Sequence, residues 1–190
     1  MLTPSSAGNT QTRIENTRKC DAVQVGLSRL ARDKDMSQTI SVTITRQEKY
    51  RFLVDFGENI PKAVADEPPP LGDGAGPSPE RLLAAAVASC LCGSLPFAIA
   101  KFKGDPGRLR ATATCQTDRN ENNRLRVTHI RVDIGLGTKA EELPHLDRAL
   151  AEFEEFCTVS QSVRAGIPFT ASVSASDGSV IKRPLTVATD

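Results

Sequence analysis

The 190-residue chain has no tryptophan, one tyrosine, and only 4% aromatic residues in all. That scarcity argues against a surface on which nucleic-acid bases stack. It also lacks an excess of either charge: 24 basic and 23 acidic side chains leave a formal charge of +1. A nucleic acid or an anionic membrane as main partner is thereby disfavoured. Histidine is represented only by His129 and His145, and no Cys-x-x-Cys spacing accompanies them, so no metal centre is expected. The five cysteines are an odd number without a close-spaced framework, unlike a small secreted disulfide scaffold. The first thirty residues hold no apolar segment of signal-peptide type. These absences together predict a reducing, cytoplasmic setting.

What is present is one concentrated apolar stretch. Residues 82–101, LLAAAVASCLCGSLPFAIAK, are nearly uncharged and rich in small side chains. Just before them stands Gly76-Pro77-Ser78-Pro79-Glu80. Pro79 suits the first helical position, Ser78 the cap, and Glu80 the positive end of the helix dipole. The pattern predicts a helix from Pro79 to Lys101, buried on most sides. Gly93, Pro96 and the polar flanks argue against a membrane span.

Around this helix the chain reads as α+β. Residues 1–36 are polar and without periodicity, and are expected to be a flexible extension; Cys20 lies there. Residues 37–190 are expected to form a single domain. Residues 38–46 alternate, with Ile40, Val42 and Ile44 on one face, and predict a half-buried strand. Residues 50–56 complete a hairpin, and 57–77 read as a long loop. A second hairpin is expected from 109–117 and 125–136, then a helix over 141–157 and a last strand over 168–174. A final short strand is expected in the polar tail. In the second helix Leu143, Leu146, Leu150, Phe153 and Cys157 follow a three-four step and predict a core-facing stripe.

Cys90 and Cys157 thus both fall on core-facing stripes. Spacing alone leaves them as buried packing residues. Cys157, however, is followed by an unusually polar group, Thr158, Ser160, Gln161, Ser162 and Arg164, and such surroundings are what a reactive thiolate requires. Cys92, about 200° around the helix from Cys90, reads as packing, as does Cys115 beside Ala111 and Ala113.

The two segments GPSPERLLAAAVASC and FCTVSQSVRAGIP together resemble the OsmC/Ohr family of thiol-dependent hydroperoxide reductases, over roughly residues 38–175. The resemblance implies two antiparallel β-sheets wrapped around long central helices in an intertwined homodimer, with active sites at the subunit interface. It implies that Cys90 attacks an organic hydroperoxide and that Cys157 closes a disulfide with the sulfenic acid that results. An external dithiol of lipoyl type would restore both. Glu80 corresponds to the family's glutamate ten residues before the reactive cysteine. Since ten helical residues span about 15 Å, Glu80 must serve the thiol of a partner chain if it serves one at all; dipole complementation is the competing role. The family's activating arginine is best matched by Arg46, with Arg51 second, although a solvated hairpin charge competes for Arg46. One position where the family carries arginine is Pro70 here, and Thr158 stands where it often has proline. Asp66 and Glu67 are candidates to replace the missing ion pair. The rival expectation is a non-catalytic member that binds an apolar small molecule between helices.

Overall fold

The computed structural model describes residues 38–57 and 59–183. The expected extension at 1–36, with Cys20, lies outside them. The chain divides into two units between Ser41 and Val42. Of the first unit only 38–41 are described, and they form no regular element.

The second unit holds two sheets and three helices. The first sheet comprises β1 (Thr43–Glu48), β2 (Arg51–Asp55) and β3 (Ala63–Ala65), in that order and antiparallel. The long helix α1 runs Pro79–Ala100. The second sheet has the order β4 (Arg110–Arg119), β5 (Leu125–Gly135), β6 (Phe169–Ser174) and β7 (Val180–Lys182). Between β5 and β6 lie α2 (Leu146–Glu152) and α3 (Thr158–Arg164), with a 3-10 turn at Phe153–Phe156 between them.

Helix α1 starts where the sequence places it. Ser78 is extended before Pro79, although its hydroxyl makes no capping bond. Pro96 removes one backbone N–H, yet the helix passes through it. By length and apolarity alone α1 would qualify to cross a membrane. Here one face, Val87, Leu91, Leu95, Ala98 and Ile99, is packed into the core. Each fully buried aliphatic side chain contributes on the order of 2 kcal/mol at most. The opposite stripe, Ala85, Ala86, Ser89 and Gly93, is exposed, so the protomer buries α1 on one side rather than on most sides.

The core is completed by alternating residues of β5 (Ile130, Val132, Ile134) and β6 (Phe169, Ala171, Val173), whose neighbours face outward. The pairing of β5 with β6 is parallel, the one exception among otherwise antiparallel pairs. Parallel neighbours need a crossover, and the helical segment between them supplies it.

Three local expectations are revised. The strand expected over 38–46 begins only at Thr43, and all six residues of β1 are exposed; Ile44 remains 61% exposed because no layer covers it within the protomer. The loop over 57–77 contains the short strand β3, which pairs with β2. The helix expected over 141–157 is broken. Pro144 disfavours the helical conformation at Leu143, which is extended at φ −105°, ψ 108°. His145 follows in the left-handed region at φ 51°. The apolar stripe survives the break: Leu143, Leu150, Phe153 and Cys157 are all buried.

Candidate functional site

Cys157 sits in the corner between two helical segments, at φ −86°, ψ 97°, as the residue before α3. It is fully buried. Its sulfur accepts the Ser160 N–H at 3.4 Å, and the Ser160 hydroxyl donates to its carbonyl at 3.4 Å. Ser160, three residues on, therefore plays the part of a first-turn partner to a cysteine cap.

Cys90 stands on α1, half-buried, at the margin between the packed and the open stripe. Its carbonyl accepts a hydrogen bond from Ser94 Oγ at 2.9 Å. Cys90 packs against the core that holds Cys157 and lies near enough to act on its thiol, and both are free. Burial pushes the Cys157 thiol up, and the hydrogen bond and charge of Cys90 push it further; the Ser160 hydroxyl and N–H oppose them. Cys157 is thus the more enclosed of the two thiols and the one pushed up.

The other expected site residues are not brought to these thiols within the protomer. Glu80, one turn into α1, acts on Cys115 instead: burial first, and then the Glu80 charge, push the Cys115 thiol up. Glu80 and Cys115 line a cavity of about 620 Å³ together with Arg81, Ala84, Arg126 and Val127. Arg46 is exposed, and its Nε donates to the Lys49 carbonyl at 2.9 Å across the hairpin end. Among the described residues no polar contact joins it to either thiol.

Arg51 is held by acids. It lies 3.2 Å from Asp73 Oδ2 and 3.8 Å from Asp66 Oδ2, while Lys49 holds the other Asp73 oxygen at 3.0 Å. The second oxygen of Asp66, Oδ2, also accepts the N–H groups of Asp73 and Ala75 at 3.2 and 3.0 Å. This cluster shapes the loop that leads into α1. Asp66 is thus an ion-pair partner of Arg51, away from either thiol; Glu67 contributes its carbonyl to the Gly74 N–H at 3.0 Å. Gly76 is required here for a different reason: a Cβ on it would overlap the Val64 carbonyl.

Arg164 is engaged as well, with Glu154 at 2.8 Å. The sequence offers no signal for that pair, since ten residues and a change of direction separate the partners. Among the described residues, no three His, Cys, Asp or Glu side chains gather as a metal site would require. Cys92 packs against the core, and burial pushes its thiol up.

A family model described as OsmC-like protein matches residues 72–172. A search of curated proteins returns no match. Among solved structures, an OsmC-like protein of unknown function from Vibrio cholerae is 18% identical, with a TM-score of 0.63 over 73% of this chain and 100% of that one. An organic hydroperoxide resistance protein from Elizabethkingia anophelis is 21% identical, with a TM-score of 0.57 over 74% of this chain and 99% of that one. The organic hydroperoxide resistance protein OhrB of Bacillus subtilis is 20% identical, with a TM-score of 0.54 over 72% and 98% respectively.

Proposed function

The chain belongs to the OsmC-like family, and from that premise we propose that it is a cysteine-based peroxidase that reduces organic hydroperoxides to alcohols. The observation that carries this reading is the presence of two free thiols in one packed core, a half-buried Cys90 on α1 and a fully buried Cys157 that Cys90 influences. Two structural relatives, both organic hydroperoxide resistance proteins, point the same way.

In the proposed cycle the Cys90 thiolate attacks the O–O bond. The sulfur takes the outer oxygen as a sulfenic acid, and the alkoxide leaves with a proton as the alcohol. The Cys157 sulfur then displaces that oxygen, which leaves as water with the Cys157 proton, and a Cys90–Cys157 disulfide forms. An external dithiol, of lipoyl type, accepts the disulfide by exchange and returns both thiols. Leu91 and Phe153, buried nearby on the same elements, favour substrates with an apolar body.

The working form we propose is a homodimer in which the partner's Glu80 and the partner's Arg46 complete each thiol site. Support comes from the open Ala86–Ser89–Gly93 stripe of α1, the exposed Ile44, and β4, whose outer edge has no strand beside it. A small-residue stripe lets two helices approach closely, and an uncovered edge invites pairing. We further place the protein in the cytoplasm, with residues 37–190 as its working domain and 1–36 as an appended extension. Its role is then in the response to peroxide stress.

The test is a thiol titration of reduced protein before and after one equivalent of cumene hydroperoxide, on wild type, Cys90→Ser and Cys157→Ser. Loss of two thiols mapped to a Cys90–Cys157 bridge, and absent in Cys90→Ser, is the expected result. Thiol loss no faster than that of free cysteine rejects the enzyme. The rival, a non-catalytic protein that binds an apolar small molecule, is favoured by one observation, that Arg46 and Arg51 are engaged elsewhere within this chain, on the Lys49 carbonyl and on Asp66 and Asp73.

A further inference from the structure

The corner that carries Cys157 has little regular backbone bonding of its own. It is a 3-10 turn, a non-helical residue, and a short helix in succession. Its place must therefore be set by ties to other elements. Glu154 takes part in several of them, through its side chain and its carbonyl. Glu154, with 14% of its side chain exposed, holds Arg164 at the end of α3 through Oε2 at 2.8 Å and Lys182 on β7 through Oε1 at 2.8 Å. Lys182 also donates to the Leu150 carbonyl of α2 at 2.7 Å and lies 4.6 Å from the centre of the Phe153 ring. The Glu154 carbonyl accepts both the Cys157 N–H and Gln161 Nε2, each at 3.1 Å.

We propose that Glu154, clamped between Arg164 and Lys182, is a positioning residue that holds Cys157 against Cys90. Both ion pairs are charge-assisted hydrogen bonds, the stronger kind; the Lys182 pair is largely desolvated, whereas Arg164 is half open to solvent. They close the segment 154–164 on itself and pin it to α2 and β7, with Cys157 near its start. The demand for such a device comes from sulfur geometry. A disulfide forms only within a narrow window of Cα separation and dihedral angle, so a displaced corner costs pairing before it costs fold. Glu154 touches neither sulfur and acts only through backbone.

The clamp deepens the peroxidase reading, because it bears on the resolving step of that cycle; the pairing itself can be measured without peroxide. Reduced full-length protein is equilibrated with mixtures of reduced and oxidised glutathione. The glutathione disulfide bond breaks and the Cys90–Cys157 bond forms; two electrons pass from the protein thiols to glutathione, which leaves as two thiols. The bridge is quantified by peptide mapping after acid quench. Glu154→Gln and Lys182→Met are each expected to lower the bridge-forming constant on the order of tenfold, as a small misplacement of reacting atoms does. Lys182→Arg is expected to retain the wild-type constant. If Glu154→Gln does not fold, Arg164→Met, which removes the other partner of Glu154 and leaves the Lys182 bond to Leu150 in place, is read in its stead with the same expected fall.

Constants unchanged in both variants, with a lowered melting temperature only, would overturn the proposal in favour of a purely structural ion cluster. A fall in Lys182→Met but not in Glu154→Gln would overturn the assignment to Glu154, leaving the Lys182 bond to Leu150 responsible. Wild type that exchanges with glutathione but forms no sulfenic acid with cumene hydroperoxide rejects the peroxidase and not the clamp.

Discussion

Asp66 is buried, and its carboxylate faces Arg51 at 3.8 Å while receiving two backbone N–H groups from the loop before α1. The Ala75 N–H foremost, then the Asp73 N–H and the Arg51 charge, hold the Asp66 carboxyl below its usual range against the opposing effect of burial. A carboxyl so lowered stabilises the fold fully above its unfolded value of about 3.9, and that contribution is lost as pH falls through the folded value. Asp66→Asn is thus expected to lower the urea midpoint at pH 7, and the gap from wild type should narrow as pH falls below the ordinary carboxyl range. A gap that persists undiminished in acid would assign the effect to shape rather than charge.

Reactivity should separate the two thiols. Cys157 is buried and pushed up, so it offers little thiolate at neutral pH. Iodoacetamide at pH 7 is expected to label Cys90 faster than Cys157 by on the order of tenfold or more, with the difference vanishing in denaturant. Peptide mapping of a short time course reads the ratio directly.

Leu91 lies fully buried on α1, one position from Cys90, against the sheet. Leu91→Ala is expected to cost about 2–5 kcal/mol and to lower the melting temperature accordingly. A loss well under 1 kcal/mol would mean that α1 settles into the space.

Gly76 leaves no room for a Cβ beside the Val64 carbonyl. Gly76→Ala should destabilise by about 1–3 kcal/mol, as overpacking does. The obstruction is backbone, so the entry to α1 must shift, and Glu80 with it. Chemical denaturation measures the cost.

Ile44 projects from β1 with 61% of its surface open. In an isolated protomer Ile44→Asp would be close to neutral, within about 0.5 kcal/mol. If two copies cover that face, the same change should shift sedimentation from dimer to monomer. Wild type that sediments as a monomer rejects the proposed assembly.

Much of this architecture is readable from local pattern. The Ser78-Pro79-Glu80 start marks α1, the alternation of 109–117 and 125–136 marks the long hairpin, and the three-four stripe places Leu150, Phe153 and Cys157 inside. What pattern does not disclose is non-local or depends on a single breaker. Pro144 divides the second helix because of one residue's conformational demand, against a periodicity that continues past it. Ile40, Val42 and Ile44 alternate like a half-covered strand, but alternation reports which side chains share a face, not whether another layer lies over it. The parallel alignment of β5 with β6 follows from the crossover between them, which no residue in either strand encodes. The same holds for the site. The core-facing stripes of Cys90 and Cys157 are local facts, whereas the Glu154 partners Arg164 and Lys182 come together only through the tertiary path.

That parallel alignment has a bearing on synthesis. Cys90 leaves the ribosome long before the return passage that carries Cys157 has been translated. Until β6 docks beside β5, the nascent chain displays a thiol with no companion to seal it, and an oxidant met at that stage could drive the sulfur past the point of recovery. The protein's own folding rate, set by that distant strand pairing, therefore decides how long each new molecule is vulnerable to the class of compound it is proposed to destroy.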